Sequence, residues 1–404
     1  MSNLKISVFL FTLSCIASSL FADRYIVKLN SDMIEQVAVS KLIQFQDLNQ
    51  IKPNLLAFAT NQKEKLDQLV EKNMIHYYEK VQPLYLDKAP NDPYLKKQWY
   101  LKNDDLAGIN IQSSWAKTQG SHKVLVAVVD TGVNRDHPDL ANNIFVNKLE
   151  KDGKEGVDDD GNGLIDDVYG WNFADKNNHT FDKGSHGTHV AGILGAKGNN
   201  QAFIAGINWK IKILPIRIFN DQGQGSTETA LQAIYYAADQ GAQVINNSYG
   251  FFDYSQAFLE SIEYARSKNV LLVVSAGNMA DDIELKPRYP ASFLVDNIIV
   301  VAATDEKAGL ASFSSFGKNR VHIGAPGMNI YSTTYNDYAG YMSGTSMAAP
   351  MVTGAAALYL SLHKNISYKK LKNSLLNSAI KEKNLVDKII QGRRLNIGAL
   401  IKSK

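Results

Sequence analysis

The sequence predicts an α/β protein, in which a large domain on a parallel sheet is preceded by a small α+β domain. Two observations support this prediction. Beyond residue 90, continuous apolar strands alternate with helical segments, which is typical of a parallel sheet covered on both faces. Between residues 23 and 88, segments alternate in the order β-α-β-α-β, which is typical of a small, ferredoxin-like open-faced sandwich. The length of 404 residues suits such a pair of units.

Each element follows from its own local pattern. In the small domain, alternation predicts strands and apolar residues at helical spacing predict helices. The strands are 24–29, 55–60 and 76–81, and the helices are 37–48 and 63–72. Two prolines within the polar stretch 88–93 predict a linker. In the large domain, the predicted strands are 124–129, 211–219, 244–245, 270–274 and 298–302, and the predicted helices are 227–239, 256–267 and 347–362.

The first 22 residues have the pattern of a secretory signal peptide. Lys5 supplies the positive start, residues 6–20 are mostly apolar, and Ala22 precedes charged residues. The apolar run is shorter than the roughly 20 residues that span a membrane, although an uncut N-terminal anchor is an alternative. The only cysteine, Cys15, lies in this segment, where lipid modification is a further alternative. We therefore expect a secreted or periplasmic chain that is reinforced by metal ions rather than disulfides.

The charge balance argues against nucleic acid as a partner. The formal net charge is +3, from 43 basic and 40 acidic residues. This near-balance provides no basic surface for nucleic acid or for an anionic membrane. We also expect no stable membrane insertion once the signal peptide is removed.

Three segments combine the residue types of nucleophilic catalysis. Asp130 closes an apolar strand, and His186 and Ser346 each open a predicted helix. A serine hydroxyl needs a neighbouring imidazole to take its proton, and a buried carboxylate fixes the tautomer of that imidazole. The chain order Asp, His, Ser is that of subtilisin and differs from the orders in chymotrypsin and the α/β-hydrolases. The segments read VVDTG, GSHGTHVAG and SGTSMAAP.

On these motifs the chain resembles the subtilase family over about residues 91–400. The resemblance implies a three-layer, parallel-sheet, subtilisin-like catalytic domain at residues 89–404, acting as a monomeric serine endopeptidase on proteins or peptides. It also implies that Asn278, in the segment SAGN, donates to the oxyanion together with the backbone N–H of Ser346. Residues 23–88 resemble the subtilase propeptide, an intramolecular inhibitor and folding helper. This predicts a proenzyme that cleaves itself between about Leu86 and Asn91.

Other interpretations of these motifs remain. Asp-Thr-Gly also marks aspartic proteases, but the sequence has no second such motif. An α/β-hydrolase needs its histidine after the serine, where only His363 occurs. His186 and His189 form a pair without the glutamate of a zinc protease motif, and we expect His189 to pack near the site. A catalytically silent binding protein of this fold, or a dedicated processing protease with a single client, are alternative functions.

The resemblance also places the substrate groove, where an extended peptide would add a strand through main-chain hydrogen bonds. The implied groove residues are Gly223, Gly225, Ser248, Tyr249, Gly250, Ala276 and Gly277. The first two lie in a stretch that is alternatively an ordinary loop. The others wall the S1 pocket, which holds P1, the residue before the cleaved bond. None of them is charged, which predicts an apolar or broad P1 preference.

The insertion at about residues 147–172 is rich in carboxylates. Asp158, Asp160, Asn162 and Asp166 fall at positions 1, 3, 5 and 9 of an EF-hand-like loop, whose position 12 is Tyr169. This density of oxygen ligands predicts a structural calcium ion, and a solvated acidic loop is the alternative.

A second calcium site is implied by resemblance to thermitase-like members of the family. Their ligand aspartates match Asp92 and Asp139 of this sequence. Asn200 is a third candidate ligand, in a loop that does not align cleanly.

Overall fold

The computed structural model describes residues 23–30, 42–52, 54–81, 89–103 and 106–403. The predicted signal peptide with Cys15 lies outside these residues, as does part of the predicted self-cleavage segment. The chain divides into two compact units, Met1–Tyr85 and Leu86–Lys404.

The first unit is a four-stranded antiparallel sheet with a helix. Its elements are β1 (Asp23–Leu29), β2 (Gln46–Lys52), β3 (Leu55–Thr60), α1 (Lys63–Glu71) and β4 (Ile75–Lys80). The strands lie in the order β2-β3-β1-β4, as in a ferredoxin-like domain. Leu66 and Leu69 of α1 share a buried cluster with Val27 and Phe58 of the sheet, so this unit has its own core.

The prediction of a helix at residues 37–48 is wrong at the C-terminal end of that range. Residues 31–41 lie outside the described chain, but Gln46–Lys52 forms β2 and pairs with β3. Every side chain of β2 is exposed, so the sequence carries no alternation between buried and exposed positions. Main-chain pairing at the edge of the sheet, rather than side-chain burial, makes this segment a strand.

The second unit is built on a nine-stranded sheet. Its strands are β5 (Gly120–Asp130), β6 (Trp171–Asn172), β7 (Lys210–Arg217), β8 (Val244–Asn247), β9 (Leu271–Ser275), β10 (Ile298–Thr304), β11 (Ile323–Pro326), β14 (Ile380–Lys381) and β15 (Arg393–Arg394). They lie in the order β14-β15-β11-β10-β9-β8-β5-β7-β6 and are parallel except for β14 with β15. The predicted parallel sheet is confirmed. A separate antiparallel pair is formed by β12 (Ile330–Thr333) and β13 (Ala339–Met342).

Helices cover both faces of this sheet. They are α2 (Lys148–Asp152), α3 (His186–Gly195), α4 (Thr227–Asp239), α5 (Gln256–Ser267), α6 (Thr345–Leu362), α7 (Tyr368–Asn377) and α8 (Ile397–Lys402). Helices α3 and α6 contribute to one buried apolar cluster, and α4 and α5 to another. Along β5, Val126 and Val128 join the first cluster, whereas Ala127 and Val129 join the second. The predicted three-layer architecture is therefore confirmed.

Helix α6 is long and apolar enough by composition to cross a membrane, but 89% of it is buried inside the protein. It packs against β5, β8, β9 and β10 and also against α3. Its composition is therefore that of a core helix, and the residues of its first turn are buried.

The parallel strands bring their carboxyl ends to one edge of the sheet. Asp130 of β5 is level with Arg217 of β7, and Val129 is level with Asn247 of β8. Asn247 is in turn level with Val274 of β9. The loops after these strands therefore emerge together, where open α/β sheets bind their ligands.

Candidate active site

The end of β5 and the start of α3 bring Asp130 and His186 together. His186 Nδ1 lies 2.7 Å from Asp130 Oδ1, and the Asp130 side chain is only 1% exposed. The same carboxylate oxygen accepts the backbone N–H of Thr131 at 2.7 Å. A buried carboxylate held in this way fixes Nδ1 as the donor and leaves Nε2 of the imidazole as the acceptor.

Asp182, which the sequence analysis did not identify, positions the first turn of α3. Its buried carboxylate accepts the backbone N–H and the hydroxyl of Thr188, at 2.9 and 2.7 Å. Thr131 donates its hydroxyl to Asp182 at 3.0 Å and accepts the N–H of Gly187 at 3.0 Å. These bonds tie the loop after β5 to the start of α3. A Cβ on Gly187 would lie 2.0 Å from the carbonyl oxygen of Gly132, so this close approach requires glycine.

The pKa of His186 is raised above its ordinary value. Burial alone would lower this pKa, but the negative charge of Asp130 and its hydrogen bond to the ring outweigh burial. The arrangement therefore stabilises the imidazolium, which is the form that a histidine base reaches after taking a proton.

Ser346 is the second residue of α6 and forms a reciprocal pair with Ser248. The Ser346 hydroxyl donates to the Ser248 carbonyl at 3.1 Å, and the Ser248 hydroxyl donates to the Ser346 carbonyl at 3.1 Å. Ser248 is held in turn by Asn246 Nδ2 at 2.9 Å, and Asn246 Oδ1 accepts the Thr353 hydroxyl at 2.9 Å. The nucleophile candidate is therefore fixed to the loop after β8.

Pro350 explains why Ser248 is needed. The predicted helix starts at residue 347, but α6 begins at Thr345 and Pro350 lies inside it. A proline has no N–H, so the carbonyl four residues earlier, that of Ser346, lacks its helical donor. The Ser248 hydroxyl supplies the missing donor.

Asn278 lies in the loop after β9 with its amide orientation fixed. Its Oδ1 accepts both the backbone N–H and the hydroxyl of Thr345, each at 2.8 Å. The carbonyl side of the amide is thereby anchored, and Nδ2 remains available as a donor beside the start of α6. This is the geometry expected of an oxyanion-stabilising amide.

The implied groove residues also lie at this edge. Gly225 packs against the ring of Phe219, which makes an edge contact with Tyr249 at 6.1 Å between centroids. The Tyr249 hydroxyl donates to Asn247 at 2.9 Å, so this side chain points back into the protein. Gly223 is exposed and in the left-handed region at φ 73°, within a turn of the loop after β7. The two stretches named from the resemblance therefore share one surface.

The second wall of the implied S1 pocket follows β9. Ala276 is buried and its N–H donates to Val301, and Gly277 is in the left-handed region at φ 109°. The side chain of Arg288, which the sequence analysis did not identify, lies beside both Gly250 and Gly277. The positively charged Arg288 therefore lies between two pocket walls that carry no charged side chain.

His189 is a buried packing residue. Its Nε2 donates to the carbonyls of Ile330 and Gly340, at 3.0 and 3.1 Å. Burial lowers its pKa to about 4, so the ring is neutral at physiological pH.

The acidic insertion gathers three carboxylates: one oxygen each of Glu150, Asp158 and Asp160 lies within 4.8 Å of the others. Glu150 is not part of the predicted loop pattern; it lies on α2 and is only 3% exposed. Its carboxylate accepts the backbone N–H groups of residues 159, 160 and 166. Three converging oxygen ligands of this kind fit a hard cation such as calcium.

Two further predicted ligands make other hydrogen bonds in this loop. Asp166 lies outside the three-carboxylate cluster and accepts the N–H of Gly156 at 2.9 Å. Asn162 donates its Nδ2 to Asp160 and to the buried Asp167, at 3.0 and 3.1 Å. Asp167 also accepts the hydroxyl of Tyr236 at 2.5 Å, which anchors the loop to α4.

Asp92 and Asp139 meet around one loop. Asn199 and Asn200 donate their backbone N–H groups to Asp92 at 2.7 and 3.4 Å, and Asn200 Nδ2 donates to Asp139 at 2.9 Å. Both carboxylates are buried, and burial raises the pKa of each. Buried carboxylates in a shared setting fit a cation that offsets their charge.

Comparisons with known proteins agree with this geometry. Residues 121–394 match the model of the subtilase family. Subtilisin-like protease 1 of Plasmodium berghei is 32% identical over 374 residues, which cover 88% of this chain but only 61% of the relative's length. Thermitase of Thermoactinomyces vulgaris is 35% identical over 72% of this chain and 92% of its own.

Among solved structures, the nisin leader peptidase NisP of Lactococcus lactis is 25% identical, with a TM-score of 0.59 over 77% of this chain and 95% of its own. The family model covers more than half of the chain, and the thermitase match covers most of that relative. The chain therefore belongs to the subtilase family of serine proteases.

Proposed function

We propose that this chain is a secreted serine endopeptidase that hydrolyses peptide bonds in proteins or peptides through an acyl-enzyme on Ser346. The observation that carries the proposal is the placement of four groups at the same edge of the sheet. They are the Asp130–His186 pair at 2.7 Å, Ser346 at the start of α6, and Asn278 with its amide carbonyl anchored. Family membership supports the same reaction class.

In this mechanism the Ser346 hydroxyl turns from the Ser248 carbonyl to His186, which takes its proton as the oxygen attacks the scissile carbonyl. The resulting oxyanion accepts hydrogen bonds from Asn278 Nδ2 and the Ser346 backbone N–H. Asp130 stabilises the imidazolium, which then protonates the leaving amine. Water activated by His186 finally hydrolyses the acyl-enzyme.

The enzyme is proposed to be made as a proenzyme. Residues 1–22 direct secretion to the periplasm or the exterior, and residues 23–88 act as an intramolecular inhibitor that is removed by self-cleavage between about Leu86 and Asn91. The separate core of the first unit supports a segment that folds as its own domain. The mature catalytic domain acts as a monomer.

Calcium is proposed as a structural ion. Glu150, Asp158 and Asp160 would hold it in the acidic loop, and Asp92 with Asp139 would hold a second. When bound, the ion would neutralise converging carboxylates and link chain segments, without taking part in peptide hydrolysis. The fit of these oxygen ligands to a hard cation supports the proposal.

The test compares wild type with Ser346→Ala and with the matched control Ser343→Ala, an exposed serine three residues earlier. Each protein is treated with a fluorophosphonate probe and weighed by mass spectrometry. We expect wild type and Ser343→Ala to react with the probe and lose the first unit, and Ser346→Ala to do neither. A wild type that stays unlabelled and intact would leave the silent binding protein as the better account.

A dedicated processing protease with a single client is a second candidate. The likeness to the leader peptidase NisP favours it, at 25% identity. Digestion of a proteome separates the two candidates, because a general endopeptidase cuts many proteins and a dedicated one cuts few.

A further inference from the structure

Arg288 occupies the space between two glycines of the implied S1 walls. A Cβ on Gly250 would lie 2.8 Å from Arg288 Nε, and a Cβ on Gly277 would lie 2.8 Å from Arg288 Cδ. The position is set by main-chain pairing, since Phe251 and Tyr289 exchange N–H···O bonds at 2.8 Å in each direction. The side chain is therefore built into the pocket between the walls.

Both walls lead to the reacting groups. Gly250 lies two residues after Ser248, and the Ser248 carbonyl accepts the Ser346 hydroxyl. Gly277 precedes Asn278, which bonds to Thr345 beside Ser346. A side chain entering between the two walls from a peptide held at Ser346 would therefore meet Arg288.

The guanidinium of Arg288 has N–H groups that could donate further hydrogen bonds. It is half-buried, and within the described chain no carboxylate forms an ion pair with it. Asp281, whose charge acts on it, is held by Lys286 at 2.7 Å. Its hydrogen bonds are long, at 3.5 Å to the Gly250 carbonyl and 3.9 Å to the Met279 sulfur, and its Cζ lies 5.0 Å from the centre of the Phe252 ring.

We propose that Arg288 forms the floor of the S1 pocket and selects peptides with aspartate or glutamate at P1. This inference rests on the proposed function of the site. A planar guanidinium presents two parallel N–H groups to a carboxylate, which makes such a pair strong and directional. The arginine stem fills the space that a large apolar side chain would need, and the cation repels lysine or arginine at P1. On this inference, an acidic P1 preference would take the place of the apolar or broad preference expected from the uncharged walls.

The chain itself contains a matching sequence. Asp87 is the only acidic residue among residues 86–91, the predicted self-cleavage segment. Cleavage after Asp87 puts Lys88 and Ala89 directly beyond the bond and moves Pro90 away from it. An S1 pocket with a cationic floor thus assigns maturation to the bond between Asp87 and Lys88.

The first test uses the mature wild-type enzyme and peptides that differ only at P1, which is Asp, Glu, Asn, Gln, Ala, Leu or Lys. We expect kcat/KM for Asp and Glu to exceed that for Asn and Gln by roughly tenfold to a hundredfold, as hydrogen bonds to a charged group do. Equal or faster cleavage after Asn, Ala or Leu would overturn the inference.

Variants then assign the preference to Arg288. Arg288→Met keeps an unbranched apolar stem without the charge and should abolish the advantage of Asp over Asn. Arg288→Glu should favour Lys at P1. The control Lys286→Ala removes an exposed positive charge two residues away and should leave the advantage of Asp over Asn unchanged. A preference that survives Arg288→Met would contradict the assignment.

Maturation supplies an independent readout in the full chain. We expect the mature N-terminus at Lys88, slower processing in Asp87→Ala, and normal processing in the control Lys88→Ala. Probe labelling separates the two levels of failure. An enzyme that is labelled but ignores an acidic P1 disproves only this inference, whereas an enzyme that is never labelled disproves the proposed function itself.

Discussion

The edge of the sheet that holds Asp130 and Asn278 and the acidic insertion both contain clustered carboxylates and amides. The two regions differ in which groups balance the carboxylate charge. At the edge, Asp130 receives the His186 ring and the Thr131 N–H, and Asn278 is anchored by Thr345. In the insertion, three carboxylate oxygens converge within 4.8 Å, and none of the three residues forms an ion pair within the described chain. The edge is therefore preorganised by the protein alone, whereas in the insertion the proposed calcium ion would supply the missing positive charge. Substitutions should separate activity from stability accordingly.

The largest expected effect is on activity at the edge. Asp130→Asn keeps the shape of the side chain but removes the charge that stabilises the imidazolium, so kcat should fall by about 10⁴-fold. The chelator-dependent change in melting temperature should stay as in wild type. Steady-state kinetics and thermal unfolding measure the two quantities, and Asp136→Asn, an exposed aspartate six residues later, is the control. A loss of calcium response in Asp130→Asn would remove the distinction between the regions.

Next comes calcium removal, which should act on stability. With calcium at about a thousand times its dissociation constant, a site that binds only the folded state contributes about 4 kcal/mol to the free energy of unfolding. We expect a chelator to lower the melting temperature, and Glu150→Gln to remove part of that effect. Measurements are best made on a Ser346→Ala background, which prevents self-digestion. The control is Glu260→Gln on the exposed face of α5. A melting temperature that does not change with chelator would contradict both proposed calcium sites.

The same contrast explains what the sequence could reveal. Asp130, His186, Ser346 and Asn278 belong to motifs that carry their own order and spacing. Their geometry is local to strand ends and helix starts, so it follows once the parallel sheet is recognised. Glu150 is different, because it lies before the acidic run and reaches it only through folding of the loop.

Arg288 escaped the sequence analysis for a related reason. It is 38 residues beyond Gly250, and only pairing of Phe251 with Tyr289 brings the two segments together. No local pattern marks such a contact. The exposed strand β2 was missed likewise, because its pairing partner rather than its own side chains creates it.

A smaller effect on activity is expected at the oxyanion donor. Asn278→Ala should lower kcat by about a hundredfold to a thousandfold, the loss seen in subtilisin, with little change in KM. Asn278→Asp keeps the oxygen that Thr345 anchors but loses the Nδ2 donor, and should lose at least as much. Asn336→Ala, an exposed asparagine, is the control. A change in KM alone would place Asn278 in substrate binding rather than in stabilisation of the transition state.

The pH profile should show the raised pKa of His186. The general base must be neutral, so kcat/KM should fall as pH drops through a pKa that lies above the ordinary value of about 6.5. The contribution of His186 to the free energy of unfolding has the opposite pH dependence. Because folding favours the charged ring, its contribution is complete below the unfolded pKa and is lost as pH rises through the folded one. An acid limb at or below pH 6.5 would mean that Asp130 does not outweigh burial.

The smallest effect concerns the reciprocal pair beneath the nucleophile. Ser248→Ala leaves the Ser346 carbonyl without a donor and should cost about 1–3 kcal/mol of unfolding free energy. Pro350→Ala restores a helical N–H to that carbonyl, so the double variant should recover part of the loss. The coupling energy comes from chemical unfolding of the background protein, the two single variants and the double variant. All four can carry Ser346→Ala, because the Ser248 hydroxyl donates to the backbone carbonyl of residue 346 and not to its side chain. Strictly additive losses would show that Ser248 and Pro350 act independently. Recovery would show that the Ser248 hydroxyl, from the loop after β8, replaces the helical donor that Pro350 lacks, so that the protein itself completes the hydrogen bonds at this edge of the sheet.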